Sequence, residues 1–305
     1  MEKKAISLVW LSETDLTNLN SGIGGSNLVD IKRYKKDNVD YPYVSGQAMR
    51  RYLKEAIIRL SDKKDYCIPD KDGKTCGNIK TCILCDLFGY MEPIKESGSN
   101  TRTSPVKMSP AMGLLPFQDN STLDLLTRAK TDAKIKGSKE GGDIVNVELG
   151  VNIYKAGLSI DLQRVGGEEE LDQKNHKSKG ISYSVKEKED RIKRVKIVLE
   201  AFKNLSDYSK QARLLTDFTP NILLIALQNK YNHLLQKALI LKENKIVDTD
   251  RLNEVLTMLE GEIIYAGVLS GTIDNEDKVR EVLKNHNIII KTPTEAVDEI
   301  VSLLK

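Results

Sequence analysis

The sequence predicts an α+β fold, a modified β-α-β-β-α-β core of the ferredoxin-like or RRM-like kind with excursions at two connections. Three observations predict it: an apolar strand pattern at the start, a capped amphipathic helix behind it, and a second strand, helix and strand after a long irregular stretch. Ile6, Leu8 and Trp10 alternate with Ser7, Val9 and Leu11, the mark of a strand buried on both faces. The run NLNSGIGGSN over 18–27 permits positive φ but offers nothing to pack, so it reads as a loop. Ser45 then caps a helix whose Met49, Leu53, Ile57 and Leu60 recur at helical spacing.

Residues 61–143, rich in Gly, Pro, Ser and Lys, hold every cysteine and read as an insertion. Val145, Val147, Leu149, Val151 and Ile153 form a long strand pattern, continued by Leu158, Ile160 and Leu162 past a bulge expected near Gly157. Residues 163–190 lack an apolar period and read as a mobile arm. A helix resumes at Arg191 with Ile192, Val195, Leu199, Phe202 and Leu205 in register, Pro220 opens the strand NILLIALQ, and the remainder is mostly helical, with Leu252, Val255, Leu256 and Leu259 as one stripe. RNA-recognition sheets carry paired aromatics that this pattern does not offer.

With 305 residues, 40% hydrophobic and 30% charged, the chain can bury a core. It has no apolar run near the ~18 residues of a membrane span, and its start turns polar too soon for a secretory signal, so no membrane partner and a cytoplasmic location are expected. The net charge of +3 neither demands nor excludes nucleic acid. Residues 1–60 carry ten Lys/Arg against seven Asp/Glu, which places the whole excess in the N-terminal element.

Cys67, Cys76, Cys82 and Cys85 are spaced C-x8-C-x5-C-x2-C. A CxxC turn directs two thiolates at one ion, and Pro69, Gly73 and Gly77 let the chain fold back to bring up the other two. Structural zinc is the expectation, with separate reduced thiols and disulfides as the alternatives. Four cysteines close such a site, so its role is to order a loop.

No GxxxxGK[ST], HExxH or G-x-S-x-G motif occurs, and His176, His233 and His286 are scattered. No catalytic residue is therefore assigned, although Asp30, Asp37 and Asp40 near the Gly-rich loop are the best acid candidates. The loop can cradle phosphates through backbone N–H groups. Together with the Gln/Arg/Arg/Lys helix start and the basic run Arg191, Lys193, Arg194 and Lys196 it can line one backbone-binding groove, whereas solvated faces are the plainer reading of those charges.

The ordered motifs TNLNSGIGGSN, YPYVSGQAMRRYLKEAI, TCILCDLFGY, RTSPVKMSPAMGLLPF, LSIDLQRVG and KQARLLTDFTP resemble the backbone subunit of type I CRISPR interference (Cascade) complexes, in the DevR/Csa-like branch of the RAMP superfamily. The resemblance implies an RRM-like palm (1–60, 144–162 and 191–305), a finger insertion (61–143) and a thumb (163–190). It further implies a non-catalytic protein that stacks with copies of itself and other Cascade subunits along a CRISPR RNA and presents the guide to target DNA. Carried over by motif, Ser45, Gln47, Arg50 and Arg51 contact guide phosphates beside Asn20, Ser21 and Gly22. Lys210, Gln211 and Arg213 match the basic turn before the late strand, Arg102 and Lys107 lie in the finger motif, and Lys54 and Lys196 follow from position.

The complete four-cysteine cluster resembles relatives in other CRISPR subtypes, and CxxCxLFG resembles the type III backbone subunits, a resemblance that implies cutting of bound target RNA with a loop aspartate. Asp30 could play that part, but its surroundings, SNLVDIKRY, do not reproduce the type III loop pattern. A target-RNA nuclease of this kind and a stand-alone RNA-binding or regulatory protein are the alternatives.

Overall fold

The computed structural model describes residues 3–21, 28–94, 98–128, 143–172, 177–206, 214–242 and 245–305. Strands β1 (Ala5–Thr17), β2 (Leu28–Val29), β3 (Arg33–Lys36) and β4 (Val39–Val44) precede helix α1 (Gly46–Leu60). A short helix α2 (Ile83–Phe88) leads to β5 (Tyr90–Ile94), β6 (Gly98–Arg102), β7 (Val106–Met108), β8 (Ala111–Gly113), β9 (Ser121–Arg128) and the long β10 (Asp143–Asp161). Then come β11 (Gly167–Asp172), β12 (Lys177–Tyr183), α3 (Lys188–Phe202) and β13 (Ile222–Gln228). Helix α4 (Thr249–Met258), β14 (Ile263–Val268), α5 (Glu276–Asn285), β15 (Ile289–Lys291) and α6 (Pro293–Leu303) complete the order.

The centre of the main sheet is β13-β1-β10-β7, all antiparallel, which is the ferredoxin-like strand order with α1 and α3 as the two crossovers. β14 and β15 extend one edge, and β8, β4 and β3 the other. The sheet recruits β7, β8 and β9 from within 61–143, so part of that stretch is sheet.

β1 is buried on both faces, as its two-sided apolar pattern requires. Ile6, Leu8 and Trp10 enter one core with α1, α2, α3 and α6. Val9 and Leu11 enter a second core with α4, α5 and the 3-10 turn at Leu234–Lys237. The C-terminal segment thus covers the sheet face that RNA-recognition domains use for base stacking.

Two expectations change. β10 is unbroken at Gly157, and the irregularity falls instead between Thr14 and Thr17 of β1. At Gly157 the Gln236 side-chain amide fills the space a β-carbon would take, donating its Nε2 hydrogen to the Leu8 carbonyl at 2.6 Å. Within 163–190 the chain forms the hairpin β11–β12 rather than an irregular arm, held by backbone pairing and by Arg191 stacked 4.0 Å over the Tyr183 ring.

A candidate nucleic-acid interface beside a cysteine centre

The end of β1 meets the start of α1. Asn20 accepts the Ser45 N–H on Oδ1 (2.9 Å) and the Lys32 N–H on its carbonyl (3.0 Å), while Tyr52 donates its hydroxyl to the Leu19 carbonyl. Ser45 caps α1 by accepting the Ala48 N–H (3.3 Å), and no acidic residue occupies the first turn. The partial positive charge of that helix end is therefore not offset by a carboxylate and favours an anion. Ser21 is exposed at the edge of the same junction, bridged to Ile31. Gly22 lies outside the described residues, as do Lys210, Gln211 and Arg213.

Along α1, Gln47 and Arg51 are exposed, whereas Arg50 and Lys54 turn inward. Arg50 donates to the Phe88 carbonyl (2.7 Å) and to Ser104 Oγ (3.4 Å); burial lowers its pKa. Lys54 lies 5.2 Å from the centre of the Phe88 ring, and its pKa is lowered by burial and then by Arg50. Arg51 pairs with Glu55 at 2.6 Å, a hydrogen bond that raises its pKa. These residues form one wall of a groove of about 570 Å³ whose other wall contains Cys67, Ile68 and Cys85. Positive charge, an apolar floor and an acid-free helix start suit a phosphate backbone.

The four cysteine sulfurs lie within 4.8 Å of one another, and all four thiols are free. Cys67–Cys85, Cys76–Cys85 and Cys67–Cys82 are each 3.6 Å apart. Four thiolates at about 2.3 Å from one ion stand about 3.8 Å apart at tetrahedral corners, so the cluster can bind a metal. Backbone N–H groups of Cys76 and Cys85 point at the sulfurs of Cys67 (3.5 Å) and Cys82 (3.4 Å), which favours thiolate. Hydrogen bonding to Cys85 pulls the Cys82 thiol down to about 4, against its burial.

The other expected contacts do not join the groove. Val106 and Met108 enter the α1 core, so Lys107 between them points to the opposite face, 5.6 Å from the Tyr231 ring. Lys196 is half-buried on α3, two residues past Arg194. Arg102 has a side chain only 2% exposed, ion-paired to Asp86 and donating to main-chain carbonyls. Its guanidinium is used inside the protein. Of the basic run on α3, Arg191 donates to the carbonyls of Val185 and Lys186, Lys193 pairs with Asp190 at 2.8 Å, and Arg194 turns in to Asp86. Asp86, missed in the sequence, stands in TCILCDLFGY directly after Cys85.

A family model described as "CRISPR-associated negative auto-regulator DevR/Csa2" matches residues 13–249. No curated protein matches the chain. Solved structures share its fold, among them these two. A chain of a "CRISPR RNA-guided surveillance complex" is 15% identical with a TM-score of 0.59, covering 98% of this chain and 99% of that one. A chain of a "CRISPR RNA-guided surveillance complex, pre-nicking" is 14% identical with a TM-score of 0.62, covering 99% and 100%. The motif order, the ferredoxin-like core and the family match over most of its length lead to one assignment: the chain belongs to the DevR/Csa2 family of CRISPR-associated proteins.

Proposed function

We propose that this chain is a backbone subunit of a type I interference (Cascade) complex. It holds the phosphates of a CRISPR RNA, leaves the guide bases free to pair with target DNA, and stacks with copies of itself and with other Cascade subunits. It cleaves nothing, and a structural zinc on Cys67, Cys76, Cys82 and Cys85 orders the segment beside the RNA groove. Residues 61–143 supply the finger and 163–190 the thumb of this reading, with the rest as palm.

The observation that carries the reading is the junction of Asn20 and Ser45 at the acid-free start of α1, with Gln47, Arg51, Arg50 and Lys54 ranged along the helix behind it. Family membership and two fold relatives from RNA-guided complexes point the same way. Because the C-terminal segment covers the sheet, contact at this edge falls on the backbone rather than on stacked bases, and binding is independent of sequence. The test is light scattering with RNAs of increasing length. Particle mass rising in steps of one subunit is expected, and one fixed stoichiometry at every length overturns the filament.

A second reading, a metal-dependent nuclease acting through Asp30, is favoured by one observation: the Oδ1 of Asp30 is buried without a hydrogen-bond partner. Regularly spaced cuts in a complementary RNA with Mg²⁺, lost in Asp30→Ala, would establish it in place of the first.

A further inference from the structure

We propose that Asp86 transmits the state of the cysteine centre to the β11–β12 hairpin, so that a bound metal positions the hairpin through α2. This rests on the metal reading of the cysteines given above and adds a function for the ion beyond ordering its own loop.

α2 has six residues, too few to persist alone. Its anchors are the cysteine centre, since its cap is Cys82, whose Sγ accepts the Cys85 N–H at 3.4 Å, and its packing in the core. Asp86 follows Cys85 in the chain and is completely buried. Its carboxylate is shared by three elements. Oδ1 pairs with Arg102, Oδ2 accepts from Arg194 Nη1 at 2.7 Å, and the Gly166 N–H points at both oxygens, at 2.9 and 3.0 Å.

Gly166 immediately precedes β11. Arg102 grips the same stretch from the other side, donating to the carbonyls of Arg164 (2.9 Å) and Gly167 (2.8 Å) while its Nε donates to the Asp86 carbonyl (2.9 Å). Glu168 lies 3.3 Å from Arg102 Nη1, and Arg194 also holds the carbonyls of Ile79 (2.6 Å) and Lys80 (2.8 Å), in the turn between Cys76 and Cys82. The base of the hairpin is thus bonded to one carboxylate and the guanidinium paired with it, and that carboxylate rides on the helix the cysteines hold.

Releasing the metal frees the end of α2 that carries Cys82 and Cys85. Asp86 then cannot hold its place between two guanidinium groups and the Gly166 N–H, because a buried charge network is stable only when each member is met. Gly166, with φ of +73°, has no side chain to pack in compensation, so the hairpin base loosens. In the proposed assembly this hairpin is the thumb, and its set angle governs its reach to the neighbouring copy.

The experiment is hydrogen exchange by mass spectrometry on the full chain as purified, after removal of metal with a chelator, and in Asp86→Asn, with metal content measured in each sample. Expected are about tenfold or faster exchange in 164–172 and 177–183 after chelation, with β1 and β13 still protected, and the same loosening in Asp86→Asn with its metal retained. Unchanged protection of the hairpin after metal loss overturns the coupling, as does equal loss of protection in β1 and β13, which would make the metal a prop for the whole fold. If Asp86→Asn does not fold, Arg102→Lys replaces it, since a lysine cannot reach all three carbonyls; a hairpin unchanged in that variant also overturns the coupling. Absence of stoichiometric metal from the purified protein overturns the zinc reading itself, separately from the exchange result.

Discussion

Gly89 ends α2 directly against the main-chain carbonyl of Arg102, and a β-carbon on Gly89 would run into that oxygen and lie 3.1 Å from the Ser104 nitrogen. Its φ of 70° and ψ of 176° fall in a region open essentially to glycine alone. Both neighbours are main chain and have nowhere to move. Gly89→Ala is expected to destabilise the protein by about 3 kcal/mol, from left-handed strain plus overpacking. A urea midpoint within error of the parent protein would show that the loop yields.

How much of this the sequence disclosed depends on the range of the interactions. β1 and α1 were readable because their burial follows local periodicity: Val9 and Leu11 enter one core, Ile6, Leu8 and Trp10 the other, and Ser45 caps as its position suggests. Arg102 was expected at the RNA because it is basic and stands in a finger motif. Its real partners are Asp86, Arg164 and Gly167, set by topology across 16 to 65 residues of chain. Gly157 looked like a bulge since nothing local shows that Gln236 lies over it. The pairing of 167–172 with 177–183 was missed because backbone pairing, which leaves no apolar period, holds most of it.

The core joining β1 to α3 centres on Trp10 and Phe202, edge-to-face at 4.8 Å between centroids and both fully buried. Phe202→Ala removes that contact and leaves a cavity, at an expected cost of about 3–5 kcal/mol. Phe202→Leu, which keeps most of the volume, should lose clearly less. Equal losses in the two variants, measured by chemical denaturation, would contradict a packing origin.

Lys155 gives the fold a pH signature. Its Nζ is buried between the carbonyls of Gln236 (2.8 Å) and Ala238 (2.5 Å), and burial, followed by the charge of Arg251, lowers its pKa from 10.5 to about 7. Below about pH 7 both folded and unfolded chains hold the proton, so no pH dependence arises from it. Between about 7 and 10.5 only the unfolded chain holds it, so Lys155 makes stability rise with pH across that window. Lys155→Met should flatten that rise. The measurement is the urea midpoint at half-unit steps from pH 6 to 10, and identical slopes in the two proteins would place the titration elsewhere.

The groove reading makes a prediction about sides of the sheet. Arg51 is exposed on α1 beside the junction of Asn20 and Ser45, and its ion pair with Glu55 is a surface pair worth little, so exchanging that carboxylate for a phosphate costs little. Lys107 is equally basic and exposed but points to the other face of the sheet, toward Tyr231. Arg51→Ala should therefore weaken binding of guide-length RNA uniformly across sequences and reduce the slope of log affinity against log salt by about 0.7, the share of one phosphate contact on a single strand. A single subunit binding a short RNA should show no such change for Lys107→Ala. Fluorescence anisotropy over a salt series reads both variants. If Lys107→Ala lowers the slope and Arg51→Ala does not, the RNA runs along the Tyr231 side, and the acid-free start of α1 is then an ordinary helix end.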